Sequence, residues 1–310
     1  TNLLRPYEQQ QSVKKFLQSD LYTTDLSGLP LSAQSFLHLS RSFVYKVLGQ
    51  FEESFDAAGK CWNIMNTADS DYSTRRPQEY LIGYIAYLAA ALEAKSFVSS
   101  KKWLPLFKHW LDEKYSNNLI TTSRYYALYL SHHYLLKKGK LKISLLQEVE
   151  DFYLLHKKLF DAIVKRVLEY LLAVSYFDRK DFSKAWTYCQ LILNEKSTGP
   201  RKELYEAARL IYLLILFEMK KFVELSSQCE TLNGFIRKKP KVEYLLEECF
   251  TRNFKKVSSE DLTRSQVKDV LNNLKKDLKK LSKEGNLCVK HLLHLYDFEG
   301  WVKMKLQDFA

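Results

Sequence analysis

Cys288-x-x-His291-x-x-His294 is the run in this chain whose residue types best match metal ligation. A thiol and two imidazoles suit zinc, but a structural zinc site needs four ligands closing a tetrahedron. On a helix these positions fall at i, i+3 and i+6, so the third leaves the face that the first two share. The expected role of Cys288 and His291 is packing, with His294 near the surface, and no metal is expected. His132 and His133 are adjacent and cannot share a helix face, so one is expected inside and one outside. The carboxylate neighbours Glu247-Glu248 and Asp112-Glu113 lie side by side on helical stretches and read as solvated charges. Neither a Gly-x-Ser-x-Gly elbow, a His-Glu-x-x-His pair, a dinucleotide fingerprint nor a phosphate loop occurs. The expectation is a non-enzymatic chain with no catalytic residue and no cofactor.

Five cysteines, Cys61, Cys189, Cys229, Cys249 and Cys288, are odd in number and widely spaced, as befits reduced thiols rather than a disulfide frame. No charged-then-apolar leader opens the sequence, and no run of about 18 apolar residues is present to span a bilayer. The expected compartment is the cytoplasm. Net charge is +12, and the stretch from Arg237 to Lys283 alone, with 14 Lys/Arg against 7 Asp/Glu, supplies +7 of it. Such a stretch either solubilises helix faces or attracts phosphate polymers.

The elements that carry these residues follow one rhythm. Phe51, Phe97, Leu141, Phe182 and Phe222 each follow a short polar break, at intervals of 46, 44, 41 and 40 residues. Three residues past them sit Ser54, Ser100, Ser144, Ala185 and Leu225. Helical periodicity fills the stretches between, no period-two pattern survives, and only 9 Gly and 6 Pro are present to make turns. Helical hairpins are therefore predicted over 31–66, 78–115, 118–157, 159–194 and 201–234, with breaks at Gly49, Lys138-Gly139-Lys140, Asp178 to Asp181 and Met219 to Lys221. Residues 67–77 read as a loop, Pro105 as a kink or restart, and Gly199-Pro200 as a stop. Beyond Gly234 the pattern changes: a short helix over 242–254, a helix start at Ser258-Ser259-Glu260-Asp261, then a narrow stripe of Val267, Val270/Leu271, Leu274, Leu278 and Leu281, and a final helix over 287–306. The fold expected is all-α: a right-handed α-solenoid of about five degenerate hairpins over 31–234, a lead-in over 1–30, and a helical cap over 235–310.

The stretches Tyr45…Gly49-Gln50-Phe51…Ser54 and Leu172-Ala173…Tyr176…Asp181-Phe182…Ala185 resemble tetratricopeptide repeats, with a small residue at the helix approach and an aromatic filling the wedge. The period is longer than that family's ~34 residues, and Leu225 and Leu141 depart from its small and aromatic positions. A second resemblance rests on Asp181-Phe182-Ser183-Lys184-Ala185, Ala208-Arg209-Leu210-Ile211 and Tyr296-Asp297-Phe298-Glu299-Gly300-Trp301. These look like tetratricopeptide-like proteins common in Bacteroidetes bacteria, which implies a fold and a bacterial cytosolic origin but no activity.

In a tetratricopeptide register the concave positions are Phe36, Leu39 and Phe43; Ile82, Ile85 and Ala89; Tyr126, Tyr129 and His133; Val167, Tyr170 and Val174; and Ala207, Leu210 and Leu214. These are apolar or aromatic where the resemblance implies that a carboxylate clamp would need Lys, Arg or Asn. The expected partner is thus a protein or peptide presenting an apolar helix, unless the positions are ordinary core. The alternative is nucleic acid or regulation through the basic stretch, with Lys275, Lys276, Lys279, Lys280 and Lys283 exposed opposite the leucine stripe.

Overall fold

The computed structural model describes residues 25–67, 72–114, 118–137, 141–195, 201–257 and 263–309, with isolated positions between 13 and 19. Among the described residues there are fifteen α-helices, one short 3-10 turn and no strand, so the all-α expectation holds. Most of the lead-in, the break at 138–140, the Gly199-Pro200 stop and the helix start at 258–261 lie outside the described residues.

Helices α1 (Leu31–Val47) and α2 (Phe51–Thr67) form the first hairpin. A single turn, α3 (Tyr72–Arg75), occupies part of the expected loop, and α4 (Pro77–Glu93) then starts with proline in its first turn. Helix α5 (Phe97–Lys114) runs unbroken through Pro105, so the expected restart does not occur there. Helices α6 (Leu119–Lys137), α7 (Ile143–His156), α8 (Ala162–Asp178), α9 (Phe182–Leu193), α10 (Lys202–Glu218) and α11 (Phe222–Ile236) follow, each near its expected place.

One turn geometry recurs. Gly49, Lys95, Lys180 and Lys220, each two residues before its anchor, are left-handed, with φ of 66°, 57°, 64° and 57°. The next N–H reaches back five residues in every case: Gln50 to the Tyr45 carbonyl, Ser96 to Ala91, Asp181 to Tyr176 and Lys221 to Leu216. This is a Schellman closure, which satisfies helix-end carbonyls before the chain reverses. The anchor then starts the next helix, and the residue three further on is buried: Ser54, Ser100, Ala185 and Leu225. Before α7 the register slips. Helix α7 begins two residues after Leu141, Ser144 is exposed, and Leu146 takes the buried position.

The chain divides into two units, one ending at Leu171 and the other starting at Leu172, inside α8. The first unit centres on aromatic rings. Trp62 stacks on Tyr84 at 4.3 Å and meets Trp103 edge-on at 5.3 Å, while the Tyr84 hydroxyl donates to the Trp103 carbonyl at 2.8 Å. Each such pair adds about 0.5–1.5 kcal/mol beyond its buried area. Gly83 passes so close to Met65 that a Cβ there would collide with the thioether sulfur.

The second unit is built round α10, whose residues Leu204, Ala207, Ala208, Leu210, Ile211 and Leu213 to Phe217 are all buried. The expected helix over 242–254 is a 3-10 turn (Lys241–Glu243) followed by α12 (Leu245–Phe254). Helix α13 (Arg264–Lys283) opens with a Thr263/Gln266 capping box and buries Val270, Leu271, Leu274 and Leu278. The expected final helix is two: α14 (Leu287–Leu295) and α15 (Phe298–Gln307), separated at Tyr296-Asp297. The Asp297 carboxylate caps α15 by accepting from the Gly300 N–H at 2.8 Å. Trp301 Nε1 donates to Glu218 at 2.8 Å, and the Tyr296 hydroxyl to Asp178 at 3.0 Å, tying this segment to the C-terminal ends of α10 and α8.

Candidate functional site

Helix α1 carries apolar residues on more than one face. Leu39 and Val44 are buried, and Ser42 seals the contact with α2 by meeting Ser54 across a 3.1 Å hydroxyl pair. The same helix leaves Phe36 at 50% and Phe43 at 53% exposure. Phe36, Leu39, Ser40, Phe43, Val44 and Val47 recur at three- and four-residue steps and, with Val13 beside them, line an open groove of about 370 Å³. The expected concave positions at this helix are thus accessible, except Leu39, which is core.

The other expected positions divide. Ile82 is exposed, whereas Ile85, Ala89 and Val167 are half-buried. Tyr126, Tyr129 and His133 are half-buried in a file of rings. Tyr129 stacks on Tyr125 at 5.5 Å and meets His133 at 4.6 Å, and Tyr126 packs on Phe152 at 4.3 Å. Burial, with the Glu148 carboxylate accepting from its hydroxyl at 3.3 Å, raises the Tyr126 phenol. Tyr170, Val174, Ala207, Leu210 and Leu214 are buried and present no surface to a partner. Their helices are surrounded on most sides, so the positions that a concave face would show are absorbed by the core.

Lys275, Lys276, Lys279, Lys280 and Lys283 lie on the α13 face opposite the buried leucines, and all five are exposed, as the stripe requires. Lys280 lies 3.8 Å from Glu284, a pair too exposed to hold it strongly. Asp277, the acid within this run, faces the other way: it accepts from Arg252 at 2.8 Å and Asn253 at 2.9 Å, and these bonds hold its carboxyl below the usual range.

Of the residues picked for chemistry, His132 is the buried histidine and His133 the half-exposed one. Ser100 Oγ lies 2.8 Å from His132 Nδ1, with burial lowering the imidazole's proton affinity. Both are nearly inaccessible, and Ser100 Oγ also reaches the Phe97 carbonyl at 3.2 Å, so the pair joins α5 to α6. Burial pushes the Cys288 thiol up to about 12, and no group among the described residues gathers three metal-ligating side chains. Asp112 and Glu113 are exposed and pair one turn back with Lys108 at 2.5 Å and His109 at 3.2 Å. Glu247 departs from expectation: it is fully buried, and neither carboxyl oxygen has a hydrogen-bond partner. An acid beside an acid on a polar-looking helix start gives no signal of that burial. No helix among the described residues is long and apolar enough to cross a membrane. Comparison with protein-family models, curated proteins and solved structures gives no match.

Proposed function

We propose that this chain is a non-enzymatic, tetratricopeptide-like helical scaffold of the bacterial cytoplasm that binds the apolar face of a helical protein or peptide along α1. The observation that carries this reading is the pair Phe36 and Phe43, half exposed one above the other on a stripe that is apolar but for Ser40 over three turns. A partner helix reads such a stripe through anchors at i, i+3, i+4 and i+7. The groove moves from the concave series expected of all five hairpins to the first alone. A photocrosslinking residue at Ser40, used in the native cell and followed by reconstitution with the captured protein, tests it. Binding should be insensitive to salt and be lost in the Phe36→Ser/Phe43→Ser variant with helix content unchanged. Equal affinity of that variant for the purified partner refutes the reading.

A second reading rests on a separate observation, the lysine face of α13. Lys275, Lys276, Lys279, Lys280 and Lys283 form a cationic ridge within about 12 Å of helix axis and would attract nucleic-acid phosphates without reading sequence.

A further inference from the structure

The buried charges of the second unit do not balance. Glu206 on α10, Glu243 in the 3-10 turn and Glu247 on α12 are each at most 8% exposed. Lys202 supplies the ammonium that touches two of them, and the field of the Arg209 guanidinium also reaches Glu206 and Glu247. Lys202 Nζ lies 2.9 Å from Glu206 and 3.9 Å from Glu243, and donates to the Tyr244 hydroxyl at 2.9 Å. Arg209, also on α10, is stacked over the rings of Tyr205 at 4.8 Å and Phe235 at 4.9 Å. From α14 comes the Cys288 thiol, itself raised by burial and by the fields of all three carboxyls, and His291 follows one turn on. Around α12, α11 contributes the apolar Leu232 and Ile236 and α13 contributes Leu274 and Leu278 to the buried set. Three carboxylates beside the Lys202 ammonium, with the Arg209 guanidinium reaching them only through its field, would still leave a net negative charge in a dry core, and no other residue donates a hydrogen bond to Glu247. A charge so placed is relieved by keeping a proton.

We propose that Glu247 retains a proton at neutral pH and that its release is a pH-sensitive switch, loosening the seat of α12 among α11, α13 and α14. Burial first, then the neighbouring Glu206, pushes the Glu247 carboxyl up to about 8, and burial raises Glu206 as well, so the proton belongs to the pair. The folded chain therefore binds more protons than the unfolded one between the ordinary carboxyl value of 4.5 and about 8. The stabilisation is complete below that window, declines as pH rises through it, and is constant above it. Each pH unit inside the window lowers the folding constant about tenfold, on the order of a thousandfold in all. Asp277, with its lowered carboxyl, acts in the opposite sense but only at more acidic pH, and His132 belongs to the other unit.

The test compares the full chain with Glu247→Gln, whose amide is the neutral isostere of the protonated acid. Hydrogen exchange of the α12 amides, corrected for intrinsic rates, reports the local opening constant from about pH 5 to about pH 8.5. The two proteins should open alike at the acid end. The wild type should open progressively more above it, up to about tenfold per pH unit relative to the variant. A ratio that stays constant with pH overturns the proposal. Should Glu247→Gln fail to fold, the wild type alone decides through its infrared spectrum. A protonated-carboxyl C=O band present at neutral pH and titrating away near the alkaline end supports the switch; its absence at neutral pH refutes it.

Discussion

At the scale of single residues, the chain is organised by where it leaves no room. Ala185 is wholly buried three residues after the start of α9, the offset at which a small residue would let two helices approach. Ala185→Trp should destabilise the second unit by about 1–3 kcal/mol or more, since an indole there forces side chains off their rotamers. An unchanged melting temperature would show that this position is not a close approach. Gly300 is constrained by its own cap, because a Cβ would collide with the Asp297 carboxylate that accepts its N–H. Gly300→Ala should therefore act by removing the cap, costing about 1 kcal/mol, and should add little to Asp297→Ala in a double-mutant cycle. Full additivity would contradict that account. The small residues Ser54, Ser100 and Ala185 were legible because their offset from the anchors repeats. Gly83 and Gly300 were not, since each answers to one neighbour and not to a period.

At the scale of elements, helix bounds were read well wherever a polar break preceded an aromatic anchor, because one Schellman turn closes each of those helices. What the sequence hid was the backbone state inside the break: Gly49 signals a left-handed residue, whereas Lys95, Lys180 and Lys220 adopt it without announcing it. A lysine at positive φ costs on the order of 1 kcal/mol that glycine avoids. Lys180→Gly and Lys220→Gly should therefore each raise stability in chemical denaturation, by roughly 0.5–1 kcal/mol, despite the looser unfolded chain. A loss of stability in both would mean that the lysine side chains contribute more than their strain. The break before α7 shows the limit of reading by period. Leu141 keeps the spacing but is no helix start, so everything counted from it was displaced by two residues. The end of the chain failed differently, because Asp297 reads as one more surface acid until its side chain is seen capping a new helix.

At the scale of the whole molecule, the unit boundary was hidden in the sequence. The division between the two compact units falls in the unbroken apolar pattern of α8, and the change of composition at Gly234 lies inside α11. Covalent continuity of a helix leaves no linker signature for composition to reveal. The charge pattern was legible for the opposite reason: a stripe of leucines must be buried, so the lysines opposite it face outward. Replacing Lys275, Lys276, Lys279, Lys280 and Lys283 by Glu changes the formal charge by ten, from +12 to +2. Circular dichroism should change little, since both residue types favour helix, with a few tenths of a kcal/mol lost where acids in the last turn, at positions 280 and 283, would oppose the helix dipole. If the ridge binds nucleic acid, the wild type should associate with a DNA duplex at low salt, and log affinity should fall against log salt. A slope of about −4.5 corresponds to one phosphate neutralised per lysine, and the variant carrying all five changes should lose both the affinity and the slope. Affinity that survives in the variant would place the contact elsewhere on the surface, and a wild type with no affinity at low salt would leave the lysines only the work of keeping α13 solvated.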